Sequence, residues 1–579
     1  MAPITDEEWA DLVAHELPKT SDPVIRSYLE SRRALIAQGQ RHRSGITHFS
    51  FRQALSPIAA QACDIVSKIR HEERISPVAS ATRTENLASW KIVKRLPKGA
   101  LLRAHCHALV DLDRLLDDAL NTPGMCISLS PSLGNDPTSV NSGWEGRPCI
   151  LFRGQPDSSQ SLWDDNYMPG SFVSLSKAAD EYPGEGRLGF LGWIKGKCGI
   201  STLRSDLERG YAGSSAVYSD LISGMLYYEP LWRAFLRRLM SGLVGDRVSW
   251  LELGLTFPLA FYREGSETPE VDHDYLFGII EDEEAKYLAN GRPLGLWGLR
   301  VVWSTKRSLD PRSIIEDADS CISTKLLWPR LVAGYDLAGP ENLGRPLADL
   351  TPELFWLRKQ CVVEGVTLPF FLQAGGSSLA INHHDDDDNN NNNLFDALLL
   401  GARRIGHVFA LPRHPRLIEA IKDKRILTEL SLPPPDIETE PSVAGTTNNS
   451  DIIIANHPLP FLLMQGVPCA LCEDDSGRIS QRSRDGVDQM TSIFWHALRA
   501  WEKDVDGGFD LATLGSLAEN SVRWAAFEDE DAETWVREIR AATVGAGTKA
   551  AMLQKWAVEW ERFCIWVVTE YGDGRGDAR

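Results

Sequence analysis

The chain has 579 residues, 43% of them apolar and 24% charged, an ordinary globular composition with ample material for a core. A formal net charge of −19 makes it a poor partner for phosphate backbones and argues against nucleic-acid binding, while small molecules remain open as ligands. The opening MAPITDEEWADLVAHELPK has neither a basic leader nor an apolar one, and no apolar run is long enough to span a bilayer, so the expectation is a cytoplasmic protein without membrane contact. The ten cysteines are scattered. Cys469 and Cys472 come closest to C-x-x-C, but with no second pair nearby they read as ordinary buried thiols.

In chain order, residues 1–85 show apolar spacings of three and four in DEEWADLVAHEL, DPVIRSYLESRRALIAQGQ and SPIAAQACDIVSKIRHEE, which predicts an N-terminal helical extension. From residue 86 to 579 the rhythm changes. Strand candidates are ALLRAHCHALV, PCILFRG, WLELGLTF, GLRVVWS, RLVAGYDLAG, LPFFLQAGG, RIGHVFAL, ILTELSL and VPCALCED. Helical stretches such as VYSDLISGMLYYEPLWRAFLRRLMSGLV, PRSIIEDADSCISTKLLWP and NLFDALLLGARR fall between many of them. This repeated β-then-α order predicts an α/β fold, a (β/α)8 TIM barrel with added helices, in which PCILFRG belongs to an irregular region. HHDDDDNNNNN at 383–393 is low-complexity and polar, and reads as a segment that cannot pack, either a solvated loop or a long helix entry. Residues 433–451 form a second irregular excursion, and QKWAVEWERFCIWVVTEYG a final packing helix.

Within LLRAHCHALVD, His105 and His107 stand two apart and would share one face of a strand, which is one way to begin a zinc site. Arg103 lies on the same face, where its guanidinium would repel a cation.

LPKGALLRAHCHALVD, GYDLAGPEN, LPFFLQAGGSS, NLFDALLLGARRIGHVFAL and NHPLPFLLMQGVPCALCEDD follow one another in that order. Together they resemble the adenosine deaminase-related growth factor group, the secreted-type adenosine deaminases and their intracellular fungal relatives in the amidohydrolase superfamily, over about residues 86–570. The resemblance implies a barrel in which zinc activates a water to displace the 6-amino group of adenosine. In that group two histidines of H-x-H, the histidine of H-A-G-E and the first aspartate of S-S-D-D hold the metal. The glutamate of H-A-G-E donates a proton to the purine. The histidine of R-I-G-H orients the hydroxide, and a glycine after D-L-A contacts the base.

The carry-over is incomplete. PKGALL sets the register so that the first metal histidine falls on Arg103 and the second on His105. FFLQAGGSS puts Gln373 at the third histidine and Gly376 at the proton-donating glutamate. Asp474 and Asp475 match the aspartate pair, His407 the histidine of R-I-G-H, and Gly339 the base-contacting glycine. Arginine does not deprotonate near neutrality and does not ligate zinc. Loss of the general acid alone lowers a rate by about two to four orders of magnitude.

Three functions compete. The first is a metal-free divergent member that keeps a small-molecule, nucleoside-like pocket, lined by Arg103, His107, Gly339, Gln373 and Gly376, without adenosine deamination. In it Arg103 would take over the charge of the metal, paired with Asp474, or point into open space to receive an anionic ligand. The second is a metal-independent acid–base enzyme, catalysing elimination, isomerisation or cyclisation with His105, His407, Asp474 and Asp475. The third is a residual deaminase in which a bulge after the ALL of PKGALL slides the strand, so that zinc sits on His105, His107 and Asp474. No cofactor is expected under the first two, and a homodimer is the assembly to test.

Overall fold

The computed structural model describes residues 51–76, 83–130, 146–154, 160–197, 211–289, 295–339, 344–376, 388–432, 457–473, 489–501 and 509–572, with Glu341 and Ile454 among a few isolated positions besides. Nearly all of DEEWADLVAHEL and DPVIRSYLESRRALIAQGQ, residues 383–387 of the polar tract and all of 433–451 lie outside the described residues.

Eight parallel strands form the centre. β1 (Gly99–His105), β5 (Val248–Phe257), β6 (Gly298–Lys306) and β7 (Val332–Ala338) make one four-stranded sheet. β8 (Phe371–Gln373), β9 (Arg404–Gly406), β10 (Leu427–Leu430) and β11 (Cys469–Leu471) make the other. Both seams carry a single parallel bridge, Tyr335 to Phe370 between β7 and β8 and Ala104 to Glu473 between β1 and the end of β11. The sheets therefore join at both edges into a (β/α)8 barrel.

Between β1 and β5 the chain inserts a small antiparallel sheet. In it β2 (Met125–Ser130) pairs with both β3 (Arg147–Phe152) and β4 (Val173–Ser174). PCILFRG is thus a strand outside the barrel, and MCISLS is its unread partner.

Helices cover the barrel and start where local chemistry says they should. Asp310 caps Pro311–Leu327 by accepting from the N–H groups of Arg312 and Ser313 at 3.1 Å. Ser56 caps Pro57–Ile75 through the Ala59 N–H at 3.1 Å. The long stretch read as one helix over 217–244 is two, Tyr211–Leu226 and Glu229–Gly245. The break falls at Tyr227–Tyr228 because Pro230 cannot continue a helix but suits its first turn.

The barrel interior is layered. Ala100, Leu102, Trp250, Val302, Phe371 and Leu427 belong to one apolar cluster, which Trp524, Ala525 and Ala526 close from below. Above that layer the interior is charged.

Candidate functional site

β1 carries an irregularity after its first apolar residues. Leu101 pairs with Leu251 and Ala104 with Leu253, so β1 spends three steps where β5 spends two. The extra residue re-aims Leu102 and Arg103 within the strand, as bulges beside sites commonly do. The Arg103 side chain is 5% exposed and points into the barrel. Its Nη2 donates to Asp336 Oδ2 at 2.9 Å, and its Nη1 to Glu429 Oε2 and the Phe371 carbonyl, both at 3.4 Å.

Arg103 therefore does not face open space, which corrects that one of the two expectations for it. Asp336 of β7 and Glu429 of β10 hold it, while Asp474 and Asp475 lie outside the described residues. The room for the guanidinium comes from Gly406 of β9. A Cβ there would sit 2.8 Å from Arg103 Nε and 2.9 Å from its Cζ.

The pairing continues toward the barrel floor. Arg404 Nε lies 3.0 Å from Glu429 Oε1, and Arg404 Nη2 bonds Glu252. The Arg404 guanidinium also lies 3.6 Å from the centre of the Phe371 ring. Asp336, Arg103, Glu429, Arg404 and Glu252 therefore alternate in sign along the interior. Three carboxylates face two guanidiniums there. Burial pushes the Glu429 carboxyl above its usual range, against the opposing pull of Arg404 and Arg103. Asp336 Oδ1 and Ser304 Oγ are buried without a hydrogen-bond partner and border the same small cavity as Arg103 and Glu429.

His105 ends β1 and is partly exposed. It faces Gly254 of β5, where a Cβ would come within 3.2 Å of its Nδ1. The strand then stops, and Cys106–Leu109 form a 3-10 turn. His107 consequently does not share a strand face with His105. Its Nδ1 lies 3.2 Å from Ser219 Oγ, and its Nε2 lies 3.3 Å from Ser223 Oγ and 3.4 Å from Tyr227 Oη. Burial, with His105 and Lys306 nearby, pushes the His107 ring down to about 4, so it is neutral at ordinary pH. The bulge that the displaced His-x-His reading required exists, but the turn after it sends His107 to a set of hydroxyl groups instead.

On the opposite wall, the Gln373 side-chain amide contacts His407 Nδ1 directly and lies 3.4 Å from its Nε2. β9 ends at Gly406, so His407 is not a core strand residue. It is partly exposed, and its backbone takes a left-handed φ of 60°, which non-glycine residues adopt only where the surroundings enforce it.

Gly376 follows Gln373 by three residues and also has positive φ, 84°. Its N–H donates to Glu341 Oε1 at 3.3 Å, and the Gly375 N–H to Glu341 Oε2 at 3.0 Å. Both Glu341 oxygens therefore accept from this loop. Gly339 is exposed just after β7, above the Arg307 side chain, whose Cγ would lie 3.6 Å from a Cβ there. Arg307 itself is fully buried and reaches across the β7–β8 seam, its Nη2 donating to the carbonyls of Gln373 at 3.0 Å and Leu337 at 3.4 Å.

Sequence reasoning missed Asp336, Glu429, Glu252, Arg404 and Glu341. A signal for the first three was present. YDLA, LTEL and LELG each place one acid inside an apolar strand run, and an acid on a barrel strand must find a cation.

The zinc ion that the motif resemblance implies does not fit the described side chains. A guanidinium stands at the first ligand position, Gln373 is engaged with His407, and the His107 nitrogens face hydroxyls. Among the described residues no three His, Cys, Asp or Glu side chains group as a metal site.

No family model matches the chain. It is similar to adenosine deaminase 2 of Sus scrofa, 26% identical over 504 residues that span 83% of this chain and 81% of that one. Adenosine deaminase 2 of Homo sapiens is 26% identical over 62% of each chain, and that of Dictyostelium discoideum 21% identical over 84% of this chain and 76% of that one. An Arabidopsis ADAL structure complexed with GMP covers 78% of this chain and 98% of its own at 14% identity, with a TM-score of 0.44, too loose to bear on the site. With similarity over four fifths of both chains in the first comparison, and eight parallel strands in a barrel, the chain resembles the adenosine deaminase 2 proteins in sequence over most of its length.

Proposed function

We propose that this protein is a metal-free member of the family, cytoplasmic, whose pocket binds a small nucleoside-like molecule and does not deaminate adenosine. The observation that carries the reading is Arg103. At the register of the first metal histidine stands a fixed cation, buried and paired with Asp336 and Glu429. A divalent ion beside it would meet repulsion in a low-dielectric interior, where such terms are large. Gly376 supplies no side-chain acid for the purine nitrogen, and Glu341 is committed to backbone amides. Gly339, Gln373, Gly376 and His105 at the C-terminal ends of their strands would form the ligand wall.

The test is metal analysis of purified protein, with adenosine and inosine titrated by calorimetry and turnover followed by mass spectrometry. The expected result is substoichiometric zinc, no conversion of adenosine, and measurable nucleoside binding. Stoichiometric zinc with turnover that disappears in His105→Ala would overturn the reading.

A second reading has its own support. The left-handed backbone at His407 is held in place by surrounding structure, which a decayed site has no reason to keep. Under that reading His407, with His105, Asp474 and Asp475, performs metal-independent acid–base chemistry. It predicts a ligand that comes back altered from incubation with metal-stripped protein, an alteration absent in His407→Ala.

A further inference from the structure

Asn393 is the last residue of the five-asparagine run, and it is fully buried. It lies in the helix Asp388–Leu399, so the tract packs at its end and serves as a helix entry rather than a wholly solvated loop. Asn392, its neighbour, is exposed. The Asn393 Nδ2 donates to Glu341 Oε2 at 3.0 Å, and its Oδ1 accepts from the Leu347 N–H at 2.8 Å. Glu341, 7% exposed, accepts in turn from the Gly375 and Gly376 amides.

One asparagine and one glutamate thus tie together three segments that follow β7 and β8. The other side of the same loop is held by β9 and its sequel, through Ala374 N–H to the Gly406 carbonyl and Ala410 N–H to the Gly375 carbonyl, both 3.0 Å. Gln373 and Gly376, both at positions where the resemblance implies other residues, sit at the ends of this tethered loop.

We propose that Asn393 is a positioning residue for the pocket. Acting through Glu341, it fixes the Ala374–Gly376 loop and so sets where Gln373 and Gly376 face. The amide matters chemically. Its donor end meets a carboxylate and its acceptor end meets a backbone N–H, an orientation that an aspartate cannot supply while ionised. With Asp at 393, two carboxylates would face each other in a buried space until one takes a proton and can donate it to the other.

The proposal deepens the pocket reading and rests on it only for the consequence on ligand affinity, so the test has two separable arms. In the first, hydrogen exchange is followed on the peptide covering residues 371–376 in unliganded protein. Asn393→Ala should speed exchange at the Gly375 and Gly376 amides by roughly tenfold or more, leaving the β5–β6 peptides unchanged, while Asn392→Ala does nothing. Asn393→Asp should show the same loss near neutral pH. Its protection, corrected for intrinsic rate, should return on acidification, a recovery that mere loss of packing would not give. Unchanged loop exchange in Asn393→Ala, or faster exchange spread evenly over the barrel, would overturn the proposal. In the second arm adenosine is titrated into each variant. A roughly tenfold weaker Kd for Asn393→Ala is expected if the loop borders the pocket. If the wild-type protein binds no adenosine but the exchange pattern holds, the pocket reading fails and the positioning role stands.

Discussion

At Arg103, desolvation opposes pairing, and the geometry shows how the balance is struck. Burying a guanidinium costs several kcal/mol in this setting, and two carboxylates on β7 and β10 offset it. Removing the cation alone takes the ion-pair partner of Asp336 and leaves Glu429 with Arg404 on its other oxygen. Arg103→Ala should therefore destabilise the fold by about 3–5 kcal/mol in urea denaturation. Adding Glu429→Gln should recover part of that loss, and a double variant no more stable than the single one would refute the coupling. Gly406→Ala attacks the same side chain from behind. The new methyl would lie inside contact distance of Arg103 Nε, and moving the guanidinium breaks its pairs, so a loss of about 1–3 kcal/mol is expected from the same measurement. If Gly406→Ala is neutral, Arg103 is freer than its contacts indicate. This scale also shows what was readable in the residues. The motif register singled out Arg103, Gln373 and His407, and of these Gln373 and His407 touch. It could not say that Asp336 and Glu429 would claim the guanidinium, because their distance in sequence carries no pairing information.

Among the elements, the loop after β10 is tied to the short helix Leu459–Met464 by one ring. His457 Nδ1 accepts from the Leu459 N–H at 3.2 Å, and its Nε2 meets the Ser431 carbonyl at 3.1 Å, which requires the proton on Nε2. A second proton would have to enter on Nδ1, against an amide hydrogen. Burial is the main cause that holds this ring down to about 4, with the Ser431 carbonyl opposing and His496 adding to it. The folded state thus keeps His457 neutral where the unfolded chain would charge it. The stability this provides is present above the unfolded value of 6.5 and is lost as pH falls toward about 4. The full span is worth roughly 3 kcal/mol. Denaturation midpoints should fall across that window in the wild type and fall less steeply in His457→Gln, and identical slopes would remove His457 as the cause. The four strands of this sheet were legible as apolar runs, even though β8, β9 and β11 are three residues each and β10 four. The exact ends were not. Whether RIGHVFAL continued as a strand past its histidine depended on a backbone conformation that only the neighbouring loops impose.

Across the whole molecule, helical periodicity in SPIAAQACDIVSKIRHEE showed that a helix precedes the barrel but not which surface it covers. The structure sets Pro57–Ile75 against the C-terminal helix Thr548–Tyr571. Ser56 donates to Glu561 at 2.8 Å, and the Phe51 ring meets Trp560 edge-on at 5.4 Å. Trp560 also lies over Gly515 of the helix Leu511–Arg523, where a Cβ would come within 2.6 Å of its ring. That helix in turn closes the barrel floor, its Ser521 hydroxyl receiving the Ala100 N–H of β1 at 2.8 Å. A continuous packed path therefore runs from the N-terminal helix to the first barrel strand. The buried face of Pro57–Ile75 includes Ala62, Ile65 and Val66, and burying the two larger residues alone is worth about 3–6 kcal/mol. Deleting residues 1–76 would expose the aromatic face of the last helix and leave the floor helix supported from one side. The expected outcome is a lower Tm by calorimetry, with loosened hydrogen-exchange protection reaching β1 before β6. If the shortened chain melts as the full one does, the N-terminal helix is an appendage and the barrel stands without it.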